Sequence, residues 1–378
     1  MTETPYSTFT PPQTMSSLPS LAVLTLTLQT ALLAADAPKI TYTYHDLAPL
    51  ALEGQGWPAD ALLSRYDRLP AKAEHVVPDP VWNLSRHSAG LSFRFVSDAT
   101  SLSIKYQVGS KTLGLTNMPP TGASGVDLYA LAPEGKWKWV DVTKPKEADT
   151  TYDITGIDPG KRTYLAYLPL FNTTTSISIG VPEGSSFEAL VPRSELPIVF
   201  YGTSITHGAS ASRPGMTHVA ILGRRLNRPV INLGFSGNGK MDASVGALLT
   251  EIEAAVYVID CLPNMSGSDV KERAEPLVRQ IREARPDTPI VLVEDRSHGG
   301  SWVKAAQRKR HADNRTALVR AYDALVASGL TGLYYLPGEG LLGDDTEGTT
   351  DGSHPNDLGF VRQADAFEPV LRKALEAK

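Results

Sequence analysis

The chain is nearly devoid of cysteine: among 378 residues there is one, Cys261. No intrachain disulfide can form, so stability must come from packed cores, and Cys261 itself reads as a buried core thiol. Long basic runs are also missing. Lys and Arg number 36 against 41 Asp and Glu, a formal net charge of −5, and no electrostatic footprint for nucleic acid appears. The histidines His207, His218, His298, His311 and His354 lack the spacing of a zinc site, so no metal centre is expected. The acidic cluster Asp344-Asp345-x-Glu347 reads as a solvated loop. Internal repeats and low-complexity tracts are absent. The longest apolar stretch, Leu18 to Ala35, is too short and mixed for a stable membrane span.

What is there is ordinary for a globular protein: 42% hydrophobic and 20% charged residues, in a length that suggests two domains. Residues 1–37 read as a leader. The apolar stretch ends in Ala35-Asp36-Ala37, which fits an Ala-x-Ala cleavage site, and Met15 can serve as the start of a compact signal peptide. No Lys or Arg precedes Lys39, so the basic segment of such a peptide is missing. The expectation is a periplasmic or secreted protein; the other reading is a cytoplasmic one with a loose leader.

The rest divides by periodicity. Residues 38–191 alternate apolar and polar, as in Leu91 to Ser97, Leu102 to Tyr106, Trp137 to Val142 and Ser176 to Ile179. Period two puts one face in a core and one in water. Turn signals separate these runs, and no strong helix appears among them, which predicts a β-sandwich. Residues 192–378 instead carry unbroken apolar runs: Ile198 to Tyr201, Val230 to Leu233, Ala255 to Ile259, Ile290 to Val293 and Leu333 to Leu336. Such runs fit strands buried on both faces. Helical spacing fills the gaps at Thr217 to Asn227, Ala243 to Ala254, Asp269 to Ala284 and Asn314 to Ser328. Strand–helix alternation predicts an α/β domain with a parallel sheet, whose ligands bind beyond the carboxyl ends of the strands.

The chemistry-bearing residues fall at those ends. Ser204 follows the first apolar run directly; it is a nucleophile if a base takes its proton, or else a helix N-cap. Gly237, in Asn232-Leu233-Gly234-Phe235-Ser236-Gly237-Asn238-Gly239, can bring a backbone N–H to an oxyanion, or simply turn the chain. Asn264 follows the third run, where its amide is a second such donor or a loop residue. Asp351-Gly352-Ser353-His354 sets an acid three residues before a histidine, so the carboxylate can hold the imidazole Nδ1 proton and leave Nε2 as base. His207, close after Ser204, and His298, after the fourth run, are weaker candidates for lining a pocket.

Ser, Gly, Asn and Asp/His in this order resemble the SGNH hydrolase superfamily, or GDSL-type esterases. Gly125-Val126-Asp127-Leu128-Tyr129 in the β half is similar to the Gly-x-Asp-Leu-Tyr signature of an N-terminal domain that precedes some of these esterases. The resemblance implies a flavodoxin-like three-layer α/β/α catalytic domain behind a β-sandwich. It implies a catalytic Ser204, Asp351 and His354, and an oxyanion hole of the Ser204 and Gly237 N–H groups and the Asn264 amide. No cofactor is implied. The substrate would be a small-molecule or carbohydrate ester, with acetyl the expected acyl group and a lipase of longer chains the alternative. Two departures stand out. The usual Gly-Asp-Ser-Leu is here Gly202-Thr203-Ser204-Ile205, and the usual Gly-x-Asn-Asp is Leu262-Pro263-Asn264-Met265.

Two other classes compete. Gly234 to Lys240 fits G-x-x-x-x-G-K, most of a phosphate-binding loop, and Asp260 ends an apolar strand as a magnesium-holding Asp would. Met241 stands where such a loop needs Ser or Thr. The β half could also bind polysaccharide through Trp137 or Trp139, ahead of a hydrolase site that is dead.

Overall fold

Five parallel strands explain most of what the second half of the sequence does. In the computed structural model, which describes residues 40–376, they are β10 (Ile198–Gly202), β11 (Val230–Gly234), β12 (Val256–Asp260), β13 (Ile290–Val293) and β14 (Leu333–Leu336). Their order across the sheet is β11-β10-β12-β13-β14, every pair parallel. This is the flavodoxin-like order, with its switch point between β10 and β12.

Alternate residues of each strand feed opposite cores. Val199, Tyr201, Ile231, Leu233, Tyr257, Ile259, Ile290 and Leu292 face one layer, packed on α5 (Ala243–Leu249), α6 (Gly267–Ala284) and α7 (Ala305–Ala327). Ile198, Phe200, Val230, Val256, Val258, Val291 and Val293 face the other, against α4 (His218–Arg225) and α8 (Asp357–Glu376). That two-sided burial is why these runs are unbroken. Two helices differ from the sequence expectation. α7 begins at Ala305, not Asn314, because its first turns are exposed and charged and show no apolar stripe. α5 ends at Leu249, short of Ala254.

Ahead of this sheet lie two antiparallel ones. The first has the order β1-β8-β3-β6, made of β1 (Tyr42–Asp46), β3 (Ser101–Val108), β6 (Asp149–Thr155) and β8 (Thr174–Pro182). The second runs β5-β4-β7-β2-β9, from β2 (Ser92–Ser97), β4 (Asp127–Leu131), β5 (Trp137–Val142), β7 (Arg162–Tyr167) and β9 (Phe187–Ala189). Phe93, Phe95, Leu102, Ile104, Leu128, Ile154, Tyr164, Ile177 and Ile179 from both sheets form one core. The β half is not free of helix: α1 (Asp79–Ser85) and α2 (Pro120–Ala123) occur in it. Both are too short to show a period. α1 places Val81 and Trp82 on the parallel-sheet core.

The expected leader, with its Ala35-Asp36-Ala37 cleavage site, lies outside the described residues. Among the described residues no helix is long and apolar enough to cross a membrane.

Candidate active site

β10 ends at Gly202, and one turn of helix, α3 (Ser204–His207), follows at once. Its N-cap is Thr203, whose side chain accepts from the Ile205 N–H. The capping role that Ser204 could have filled is therefore taken by its neighbour. Ser204, 5% exposed, turns its Oγ to His354 Nε2 at 2.9 Å.

His354 comes from the loop before α8. Its Nδ1 lies 2.7 Å from Asp351 Oδ2. A carboxylate only accepts, so Nδ1 carries the proton and Nε2 is left to accept from the Ser204 hydroxyl. Asp351 Oδ1 accepts the backbone N–H groups of His354 (2.8 Å) and Ser353 (3.0 Å). Burial alone would raise the Asp351 pKa. The N–H and ring of His354, with the Asn117 amide, outweigh burial and hold this carboxyl well below the usual range. It stays charged wherever the base can work.

Sequence reasoning missed Asn117. It sits in the turn closed by the Leu115–Met118 bridge, in the β half, and its Nδ2 donates to Asp351 Oδ2 at 2.9 Å. The same nitrogen is 3.4 Å from His354 Nδ1. Contacts across 234 residues leave no local signal.

The glycine turn after β11 lies against the start of α3. The Phe235 N–H donates to Gly202 O at 2.9 Å, and a Cβ on Gly239 would meet Gly202 O at 2.0 Å. Gly237 has φ +70°, the left-handed region that favours glycine. Its N–H has no hydrogen-bond partner among the described residues. Asn264 closes a 3₁₀ turn after β12, and its Oδ1 accepts the Gly239 N–H at 3.2 Å. That bond fixes the amide and leaves Nδ2 unpaired among the described residues. Arg68, fully buried, braces the turn from below: it donates to the carbonyls of Asn232 (3.0 Å), Gly234 (2.8 Å), Leu84 (2.6 Å) and His87 (2.8 Å). Burial, only partly opposed by Asp67, pushes its pKa down to about 9.

Other sequence candidates find different uses. His207 is fully buried; its Nε2 meets Leu170 O at 2.7 Å and its ring stacks on Phe171, so it lines no pocket. Asp260 forms a buried two-point ion pair with Arg296, at 2.5 and 2.6 Å, and accepts from Thr206 Oγ1 at 3.2 Å. Those bonds occupy the carboxylate that the phosphate-loop reading needs, and α5 begins only at Ala243. Cys261 is buried, as expected. Trp139 is half-exposed, but its Nε1 donates to Asp127 Oδ1 at 3.0 Å and Arg213 lies over its ring. Asp127 itself, 0% exposed, accepts from Arg213 Nη1 (3.0 Å) and from the Gly215 N–H (2.8 Å). Tyr129 joins it by a short hydrogen bond from Arg213. The Gly-x-Asp-Leu-Tyr segment thus clamps the second antiparallel sheet to the stretch that leads into α4.

The sequence pattern of the GDSL-like Lipase/Acylhydrolase family matches residues 195–372. That of the N-terminus of Esterase_SGNH_hydro-type proteins, named for its GxDLY segment, matches residues 42–187. A protein of Bacteroides ovatus assigned to the GDSL-like lipases is 31% identical, with a TM-score of 0.84 over 89% of this chain and 98% of that one. The chain belongs to the GDSL-like lipase/acylhydrolase family. It is a carboxylic ester hydrolase. Among family-fold neighbours, a salicylyl-acyltransferase from a tetracycline biosynthetic pathway is 19% identical, with a TM-score of 0.68 over 88% of this chain and 97% of its own. A family two carbohydrate esterase from Cellvibrio japonicus is 13% identical, with a TM-score of 0.55 over 90% and 99%. At these identities the likeness is one of fold. No curated protein matches the chain.

Proposed function

We propose that this GDSL-like hydrolase removes small acyl groups, acetyl above all, from carbohydrate esters through an acyl-enzyme on Ser204. The observation that carries the proposal is the hydrogen-bonded line Asp351–His354–Ser204 at 2.7 and 2.9 Å. His354 takes the Ser204 proton as Oγ attacks the ester carbonyl. The charge that develops on the carbonyl oxygen meets the N–H groups of Ser204 and Gly237 and the Asn264 amide. The tetrahedral intermediate collapses, and the alcohol leaves with the proton from His354. Water, deprotonated by the same imidazole, then attacks the acyl-enzyme and releases the acid. Asp351 keeps the ring oriented and offsets its positive charge. The oxyanion donors need no cofactor for this chemistry.

Tight backbone around the nucleophile favours a small acyl group: Gly239 packs on Gly202, and Thr203 and Ser204 are buried. The carbohydrate alcohol takes support from the likeness to carbohydrate esterases. Export completes the proposal and rests on the apolar stretch with its Ala-x-Ala site. A chain-length series of p-nitrophenyl esters, run beside acetylated xylan with released acetate measured, tests the substrate. The expected result is a maximum at acetyl and acetate from the polymer. A maximum at long acyl chains with no acetate release would make the enzyme a lipase.

A further inference from the structure

A cleft opens beside the acid–base loop, between residues 297–302 after β13 and residues 339–349 after β14. None of the nucleophile, acid–base or oxyanion positions described above lines it. Its wall is continuous with the loop that carries Asp351 and His354. The Gly299 N–H donates to Gly352 O at 2.8 Å, and Thr349, on the cleft wall, accepts the Gly352 N–H at 3.2 Å.

His298 lines this cleft at the end of a built hydrogen-bond line. Both its backbone N–H (3.1 Å) and its Nδ1 (2.8 Å) contact His311 Nε2. A backbone N–H can only donate, so His311 Nε2 is the acceptor and His298 Nδ1 carries a proton. His311 Nδ1 in turn faces Asp295 Oδ2 at 3.2 Å. His311 and Asp295 are buried, and they fix one tautomer of His298. Burial, and then His311 beside it, lower the His298 pKa and favour the neutral ring. Its Nε2 is a lone-pair acceptor with no partner among the described residues.

The rest of the cleft suits the same kind of ligand. Glu339 and Asp344 add carboxylate acceptors at the rim. Trp302 stands at the mouth 74% exposed, a large apolar face that finds no cover among the described residues. The cavity holds about 230 Å³, several times the ~30 Å³ share of one water, so it admits a single ring-sized group. The two carboxylates disfavour an anion, and the imidazole acceptor with the hydroxyls of Ser301 and Thr346 favours a neutral ligand rich in hydroxyl groups. The flat indole favours the C–H face of a ring.

We infer that this cleft receives the alcohol part of the ester as a sugar ring, with His298 Nε2 accepting from a ring hydroxyl and Trp302 stacking on the ring face. The inference rests on the carbohydrate reading above and extends it to named residues. His311 and Asp295 are positioning residues here, acting through His298.

The test compares kcat/KM on p-nitrophenyl acetate, which has no sugar, with that on a mono-acetylated methyl xyloside. Trp302→Ala and His298→Phe should each lower kcat/KM on the xyloside about tenfold, mainly through KM. Activity on p-nitrophenyl acetate should change less than twofold. Trp302 is exposed, so its loss leaves the fold intact even if the His298 variant is unstable. Equal losses on both substrates, or none on the xyloside, would overturn the sugar site while leaving the carbohydrate esterase reading in place. A wild-type enzyme active on p-nitrophenyl acetate but inert on every acetylated sugar would overturn both.

Discussion

The two halves of the chain treat polar residues in opposite ways. In the parallel-sheet half, Ser204, Asn264, Asp351 and His354 follow strand ends or precede the last helix, and Asp351, His354 and Ser204 form one hydrogen-bonded line. In the antiparallel half, the polar residues that matter are braces. Asp127 clamps Arg213 and the Gly215 N–H, and Arg68 gathers four backbone carbonyls. A parallel sheet with a switch point leaves open space at its carboxyl edge, whereas two antiparallel sheets close on each other and leave only outer faces. We read the parallel-sheet half as the one that does the chemistry and the antiparallel half as the one that holds it in register. Asn117 is the exception: it belongs to the bracing half but donates to Asp351.

The sharpest way to break this division is at the clamp. Asp127→Ala strips a buried ion pair and leaves Arg213 without its partner, so folding should weaken by about 3 kcal/mol. Chemical denaturation of the variant measures this. If kcat fell instead and the unfolding midpoint held, Asp127 would belong to the site. The opposite signature is expected at Asn264→Ala: roughly 100-fold lower kcat with the midpoint within a degree of wild type. A loss confined to KM would show that the amide binds substrate and not the developing oxyanion.

A third test uses pH. His87 lies where the halves meet, its ring 5.5 Å from that of His207. Burial, and then the nearby Arg68, bring its pKa from 6.5 to about 4. The unfolded chain binds the proton more readily, so stability is full above about pH 6.5 and falls as pH drops toward 4. At pH 5 this one group should account for about 2 kcal/mol. His87→Phe should therefore shrink the fall in thermal midpoint between pH 7 and pH 5; an unchanged fall would mean that His87 is not held neutral.

The smallest effect is expected at Asn117. Asn117→Ala should lower kcat/KM about tenfold. Asn117→Asp sets a second carboxylate beside Asp351 and His354 and should move the acid limb of the kcat/KM profile to higher pH. A loss with no shift of that limb would reduce Asn117 to one more brace.

Much of the site is legible in the sequence because it depends on local events. Unbroken apolar runs announce parallel strands, and the residues just past them must lie at the sheet edge; Ser204, Gly237 and Asn264 follow from that rule. The three-residue spacing of Asp351 and His354 is itself the geometry of their contact. Other features are set by contacts distant in the chain and leave no such trace. Asn117 looks like any turn residue, and the His298–His311–Asp295 line joins a loop to a helix that begins earlier than its pattern shows. Thr203 taking the cap, which frees the Ser204 hydroxyl, could not be told from Ser204 doing so until the backbone was in view.

All of this turns on one covalent bond. Wild-type enzyme mixed with p-nitrophenyl acetate and quenched in acid within the first turnover should carry a single acetyl group on the peptide that contains Ser204, and Ser204→Ala should carry none. An acetyl group on another residue, or full activity in the Ser204→Ala variant with no acyl-enzyme at all, would contradict the account.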